Sequence, residues 1–299
     1  MIPRLVVVTG ATGFTGPYVV RALRRRFPDV TLRCLVRPTS NRRSLLDAGV
    51  TEFAVGDLRD VESLRRAFEH ADTLVNVASL GFDWNEALFE AISGSPLRRG
   101  VFISTTAILT RLPVASKAIR ERGEALVMTS GLQWTILRPT MIYGTARDRN
   151  ISRLIRFVER SPVIPLVAGH AQQQPIHVED VATAVAAALA SRSTIERTYN
   201  LAGHSPMSLE QLITTVTATM GLRRFIIPVP TPIVRALVAI YALVSRSPKL
   251  RVEQINRLGE DKSTDYTAAA ADFGFEPMRF EDGVRAEIRI MRGVSEQKG

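Results

Sequence analysis

The chain has 299 residues, 45% of them hydrophobic, and no low-complexity tract. That is enough for a large buried core in one or two globular domains, and it excludes a disordered or fibrous chain. The net charge is +10, carried almost wholly by arginine, since only Lys117, Lys249, Lys262 and Lys298 are lysines. The arginines are spread along the chain without an aromatic-basic stripe or a nucleic-acid motif. No nucleic-acid partner is therefore expected, while phosphate-bearing ligands or an anionic membrane surface remain.

In chain order, "RLVVVTG" (4–10) is a buried strand and 14–27 a helix. The opening apolar run is too short for a signal peptide. Strands follow at 30–37, 51–57, 72–79, 100–106 and 133–140, with helices near 42–48, 61–69, 84–93 and 115–130. Strands alternating with helices predict βαβ units, and continuous apolar strands predict a parallel sheet covered on both faces. The expected fold class is α/β, a doubly wound parallel Rossmann sheet with a smaller C-terminal domain. The single cysteine, Cys34, excludes an internal disulfide and fits a reducing, cytoplasmic compartment.

Beyond residue 145 the rhythm loosens around Pro162, Pro165 and Pro175. A helix is expected over 178–191 and a short strand over 198–203. Ser208 with Gln211 three residues later predicts a capping box at the next helix. The apolar stretch 230–248 is too short to span a bilayer. It fits a core helix, or an interfacial membrane helix flanked by Arg235, Arg246, Lys249 and Arg251.

"TGATGFTG" (9–16) lies between the first strand and the first helix. Gly10 permits the tight turn, Gly13 lets the backbone approach a pyrophosphate, and Gly16 allows close helix–strand packing. The helix N-terminus then offers N–H groups and partial positive charge to phosphates. After the second strand, an Asp or Glu is expected where the ribose hydroxyls are free; here Arg37 stands 21 residues after Gly16, with Arg42 and Arg43 following. Arginine pairs bidentately with a 2′-phosphate, so NADP is favoured over NAD, unless Arg37 stacks on the adenine or faces solvent. Asp57 of "GDL" can accept from the adenine amino group with Leu58 covering the ring, or can cap the following turn. Val77, Ala78 and Ser79 line the cofactor's path. No histidine pair has metal-ligand spacing, and no metal is expected.

Together these segments resemble the extended and atypical short-chain dehydrogenase/reductases, the superfamily of NAD-dependent epimerases and dehydratases. "TGATGFTG" resembles its cofactor loop, "GDLRD" its adenine-side motif, "ILRPTMIYG" (136–144) its sixth strand and turn, and "QPIHVEDVA" (174–182) its return segment. "YNLAG" resembles the last sheet strand, and "STDYTAAAADFGFEPMRFEDGV" (263–284) the C-terminal element. The resemblance implies a Rossmann domain over 1–145 and 176–203, and a smaller substrate or capping domain over 146–175 and 204–299. It implies cofactor contacts from Thr12, Phe14 and Thr15 in the loop, and from Pro139, Thr140 and Met141 after the sixth strand.

Active members carry a tyrosine four residues before a lysine, which holds the nicotinamide ribose and lowers the phenol pKa. Lys117 matches the lysine, Thr106 or Thr105 the hydroxyl after the fifth strand, and the tyrosine position is Pro113. Tyr143 is expected to serve the fold. Two functions follow. One is a tyrosine-less NADP(H)-dependent reductase or epimerase-type enzyme acting on a small molecule, such as a nucleotide sugar or a lipid-linked or quinone-like compound. The other is an inactive NADP(H)-binding sensor or accessory subunit, which would suit a membrane-peripheral setting. Substrate and oligomeric state stay open.

Overall fold

The computed structural model describes residues 3–82, 84–112, 115–244 and 259–293. Pro113 and the basic residues Arg246, Lys249 and Arg251 lie outside the described residues. The elements run β1 (Leu5–Thr9), α1 (Gly16–Arg26), β2 (Thr31–Val36), α2 (Arg43–Leu46), β3 (Glu52–Val55), α3 (Val61–Phe68), β4 (Thr73–Asn76) and α4 (Asn85–Ile92). They continue β5 (Arg99–Ile103), α5 (Ala115–Met128), β6 (Gln133–Pro139), β7 (Ile142–Tyr143), α6 (Ile151–Arg160), β8 (Val163–Leu166), β9 (Gln172–Gln173), β10 (Ile176–His177) and α7 (Val178–Ala190). The chain then forms β11 (Arg197–Leu201), β12 (Met207–Ser208), α8 (Leu209–Thr219), β13 (Phe225–Pro228), α9 (Thr231–Val244), α10 (Thr267–Phe273) and α11 (Phe280–Met291).

Two compact units are present, one of residues 1–142, 176–202 and 264–277, the other of 143–175, 203–263 and 278–299. The first is built on a seven-stranded sheet in the order β11-β6-β5-β4-β1-β2-β3, with its strand pairs parallel. Its pleat sorts β1 residue by residue. Val6 and Val8 face the layer of α1 and α7, while Val7 faces α3, α4 and α5. Both faces are buried, which is why the strand is apolar throughout.

One segment departs from the sequence expectation. Residues 264–277, assigned to the smaller domain, pack with the first unit. The Tyr199 hydroxyl lies 2.5 Å from the Asp272 carboxylate, and Asn200 Nδ2 donates to Thr264 Oγ1 at 2.9 Å. Phe273 meets Tyr199 edge-on with ring centroids 5.1 Å apart.

The second unit packs α6, α8 and α11 with two short β ribbons, β8–β13 and β9–β12. Ser208 and Gln211 form the expected capping box of α8. Tyr143 is buried against Phe280 and Gly283, where an added Cβ would sit 2.0 Å from the phenolic oxygen. That glycine makes room for the ring, and Tyr143 serves the fold. Beside it Glu287 is fully buried and accepts from the Gly144 amide at 3.2 Å. Burial, then the hydrogen bond and charge of Asp148, push its carboxyl up to about 10. No described helix is long and apolar enough to cross a membrane.

Candidate functional site

The candidate site lies at the C-terminal ends of β1 to β6, where an open parallel sheet binds its ligands. Gly10 follows β1 with φ +68°, and a Cβ there would lie 2.6 Å from the Ala78 amide nitrogen. A Cβ on Gly16 would lie 2.3 Å from the Ala11 carbonyl oxygen and 2.4 Å from that of Gly10. Gly13 closes the turn by donating to the Gly10 carbonyl at 3.0 Å. The loop is thus drawn too tight for side chains at two of its three glycines.

Helix α1 begins with Thr15 at the N-cap, makes no side-chain capping bond, and has no acidic residue in its first turn. Two helices of this sheet domain are capped, α3 by Asp60, which accepts from the amides of Glu62 and Ser63, and α7 by His177, which accepts from Glu179, whereas α2, α4 and α10 make no side-chain capping bond. What sets α1 apart is the glycine turn before it. An uncapped, acid-free N-terminus against a glycine turn fits a pyrophosphate, which would supply the missing acceptors. The cofactor family therefore fits the residues present. Phe14 is partly exposed on the rim of this turn.

Arg37 follows β2, exposed, with its guanidinium in no ion pair or hydrogen bond among the described residues; only its backbone is engaged, the N–H donating to Ser40 Oγ at 3.2 Å and the carbonyl accepting from the Ser40 amide at 3.0 Å. Arg42 instead lies over the Phe53 ring at 5.3 Å, and Arg43 faces solvent. Asp57 accepts from the Arg59 amide at 3.0 Å, and the cap of α3 is Asp60 rather than Asp57. Leu58, Val77, Ala78 and Ser79 are half-buried. Asn76 organises this corner, accepting from Thr9 at 2.5 Å and donating to the Ala78 carbonyl at 2.7 Å.

Beyond β5, Thr105 accepts from the Ala107 amide at 3.2 Å, and Thr106 donates to the Pro139 carbonyl at 3.3 Å. Pro139 and Thr140 are buried, and the Thr140 amide donates to Leu201 at 2.8 Å, leaving half-buried Met141 at the turn. Lys117 on α5 is half-buried, and its Nζ donates to the Thr110 carbonyl at 3.0 Å. Thr105, Thr106 and Lys117 thus sit on one chain segment, a short helical turn leading into α5, with the lysine tied to that turn.

Sequence reasoning missed a buried triad beneath this segment. Glu124, seven residues after Lys117 and on the same face of α5, accepts from Ser104 Oγ at 2.5 Å and from Arg138 Nε at 2.9 and 3.2 Å. Ser104 directly follows β5 and Arg138 lies in β6, so the carboxylate fastens α5 to the end of one strand and to the other. Gly123 beside it lets α5 approach Leu80, whose carbonyl would lie 2.8 Å from an added Cβ. The seven-residue spacing from Lys117 was the available signal.

His177 is neutral, its pKa pushed down to about 4 by burial. Its Nδ1 serves as the α7 cap. Arg99 lines a cavity of about 330 Å³ at the opposite, N-terminal edge of the sheet, near Thr73 and Gln133. Its guanidinium is spent on the Gly100, Gln133 and Ala188 carbonyls and the Thr135 and Thr194 hydroxyls. That leaves little to bind an anion.

A tight glycine turn, an uncapped first helix and a seven-stranded parallel sheet define a dinucleotide-binding Rossmann protein. The chain belongs to the NAD(P)H-binding family, whose model matches residues 10–192. It is 27% identical to NADH dehydrogenase [ubiquinone] 1 alpha subcomplex subunit 9 of Rattus norvegicus, over 93% of this chain and 78% of that protein. It is 28% identical to the ceramide reductase of Caulobacter vibrioides, over 97% of this chain and 92% of the relative. The crystal structure of an NADPH-dependent quinone oxidoreductase from Escherichia coli shares the fold, with TM-score 0.73 and 18% identity over 93% of this chain and 98% of that one.

Proposed function

We propose that this protein is an NADPH-dependent reductase of the tyrosine-less kind, acting on a lipid-like or quinone-like small molecule. The observation that carries the cofactor choice is Arg37. It stands at the end of β2, exposed and in no ion pair among the described residues, where a ribose-binding carboxylate would oppose a 2′-phosphate. The relatives named as ceramide reductase and quinone oxidoreductase support the substrate class.

In this reading the turn at Gly10, Gly13 and Gly16, with Thr12, Phe14 and Thr15, holds the pyrophosphate. Asp57 and Leu58 bind the adenine side, and Val77, Ala78 and Ser79 line the path. Pro139, Thr140 and Met141 close the nicotinamide end. The bound nicotinamide supplies the hydride. Lys117 holds the nicotinamide ribose, its ammonium exchanging the Thr110 carbonyl for ribose hydroxyls. Thr106 or Thr105 orients the reacting oxygen. Pro113 stands at the position of the family tyrosine and exchanges no proton, so that task falls to Lys117 or ordered water.

One observation favours a second reading, in which the protein binds NADPH and catalyses nothing. Lys117 already satisfies the Thr110 carbonyl at 3.0 Å, a structural task. The match to a complex I subunit supports the same reading. Single-turnover absorbance at the nicotinamide band separates the two. With bound NADPH and a quinone or enone acceptor, the reductase reading expects oxidation that Lys117→Met slows. Tight binding without oxidation across quinones, enones and nucleotide sugars overturns it in favour of the binding module.

A further inference from the structure

The second unit holds a surface that the nucleotide site does not use. Strands β8 and β13 pair in parallel with Phe225 opposite Val163 and Ile227 opposite Pro165. The pleat sends Ile164 and Leu166 into the unit, where both are buried. It sends Val163, Pro165, Phe225 and Ile227 outward together. Phe225 is 74% exposed and Ile227 50%. Just beyond the ribbon, Ile233 at the start of α9 is 53% exposed, and Phe157 on α6 is also exposed.

The ribbon is rigidly mounted. Arg224 donates from Nε to the Val158 carbonyl at 2.7 Å and from a terminal nitrogen to Glu159 at 3.1 Å, fixing β13 to the end of α6. The Phe225 amide donates to Pro162 at 2.9 Å and the Val229 amide to Leu166 at 2.8 Å. The apolar side chains are therefore held outward rather than frayed from a core.

The charge around them is one-sided. Arg160 and Arg223, both exposed, precede the two strands, and exposed Arg235 follows them on α9; Arg153 and Arg156 lie exposed on α6, with Glu159 the one acid on that helix. The second unit's sequence carries 18 Lys and Arg against 10 Asp and Glu, a net +8 of the chain's +10. An apolar face of this kind marks an interaction site. The arginine rim selects a partner with an anionic surface and an apolar interior.

We infer that the β8–β13 face docks this protein on an anionic phospholipid bilayer, with Phe225 and Ile227 entering the acyl boundary and Arg160, Arg223 and Arg235 meeting headgroup phosphates. Apolar insertion and basic attraction each give marginal binding alone and act together.

The test uses the full chain in co-sedimentation with vesicles of phosphatidylcholine and of phosphatidylcholine mixed with phosphatidylglycerol. The expected result is binding about tenfold or more stronger to the anionic vesicles, weakened by salt. Phe225→Ser with Ile227→Ser, and separately Arg160→Glu with Arg223→Glu, should each lower that binding about tenfold. These positions are exposed, and a circular-dichroism melt that matches the parent's shows that each variant is folded. Equal binding to both vesicles, binding to neither, or variants that bind like the parent would overturn the inference. So would a solution dimer that Phe225→Ser with Ile227→Ser dissociates, because the face would then belong to a second copy.

Discussion

Glu124 offers a sharp test of how the candidate site is held. Its side chain is 3% exposed and that of its partner Arg138 is 20% exposed. Glu124→Ala removes the acceptor of Ser104 at 2.5 Å and both carboxylate oxygens facing Arg138 Nε at 2.9 and 3.2 Å. Breaking a buried ion pair from one side costs about 3–5 kcal/mol, because the surviving charge stays desolvated without its partner. Arg138 keeps some contact with water, so the low end applies, about 3 kcal/mol. For a domain of this size that lowers Tm by about 6–12 °C. Circular dichroism melting measures it. Replacing both partners with apolar side chains, Glu124→Leu with Arg138→Met, should recover most of the loss. If Glu124→Ala melts within about 2 °C of the parent, the carboxylate does not fasten α5 to the sheet and the reasoning fails.

Arg37→Glu should weaken NADPH binding about tenfold or more and leave NADH binding unchanged or tighter, since it removes one charge-assisted phosphate contact, sets a like charge against the 2′-phosphate and offers an acceptor to free ribose hydroxyls. Parallel fluorescence titrations read this, and an unaltered ratio removes the 2′-phosphate assignment. Gly16→Ala should unfold the nucleotide loop or abolish NADPH binding, because its Cβ would lie 2.3 Å from a backbone oxygen. A folded variant that binds normally contradicts the cradle. Glu287 has a carboxyl raised from 4.5 to about 10, so the folded chain keeps a proton that the unfolded chain releases. Its contribution to stability is complete below pH 4.5 and is lost as pH rises toward 10. Glu287→Gln keeps the shape without titrating, so its Tm should decline less than the parent's on going from neutral to alkaline pH. Equal declines contradict this.

The parts of the molecule that were legible in sequence are those whose cause is local. Val6, Val7 and Val8 are buried on alternating faces of a covered sheet, so the apolar run carries the strand's whole story. The glycine turn is legible because its spacing sits between a strand and a helix. The Ser104–Glu124–Arg138 triad was not, because it joins three segments through the register of β5 and β6, and Glu124 looks like one more surface acid in "RERGEAL". Segment 264–277 was misassigned for the same reason. The Tyr199–Asp272 contact that places it spans 73 residues and leaves no local pattern. Asp57 illustrates a smaller limit: it caps the turn after β3 through the Arg59 amide, while the cap of α3 falls three residues later on Asp60. The outward face of β8–β13 likewise depends on a pairing across more than sixty residues of chain.

The proposed function stands or falls on whether the glycine turn and Arg37 together hold NADPH. Its most direct test is titration of the full chain with NADPH and with NADH, followed by nucleotide fluorescence. Saturable one-site binding of NADPH, about tenfold or more tighter than that of NADH, is expected, the margin of one arginine–phosphate contact. Equal affinity for the two nucleotides, or binding of neither, would contradict it.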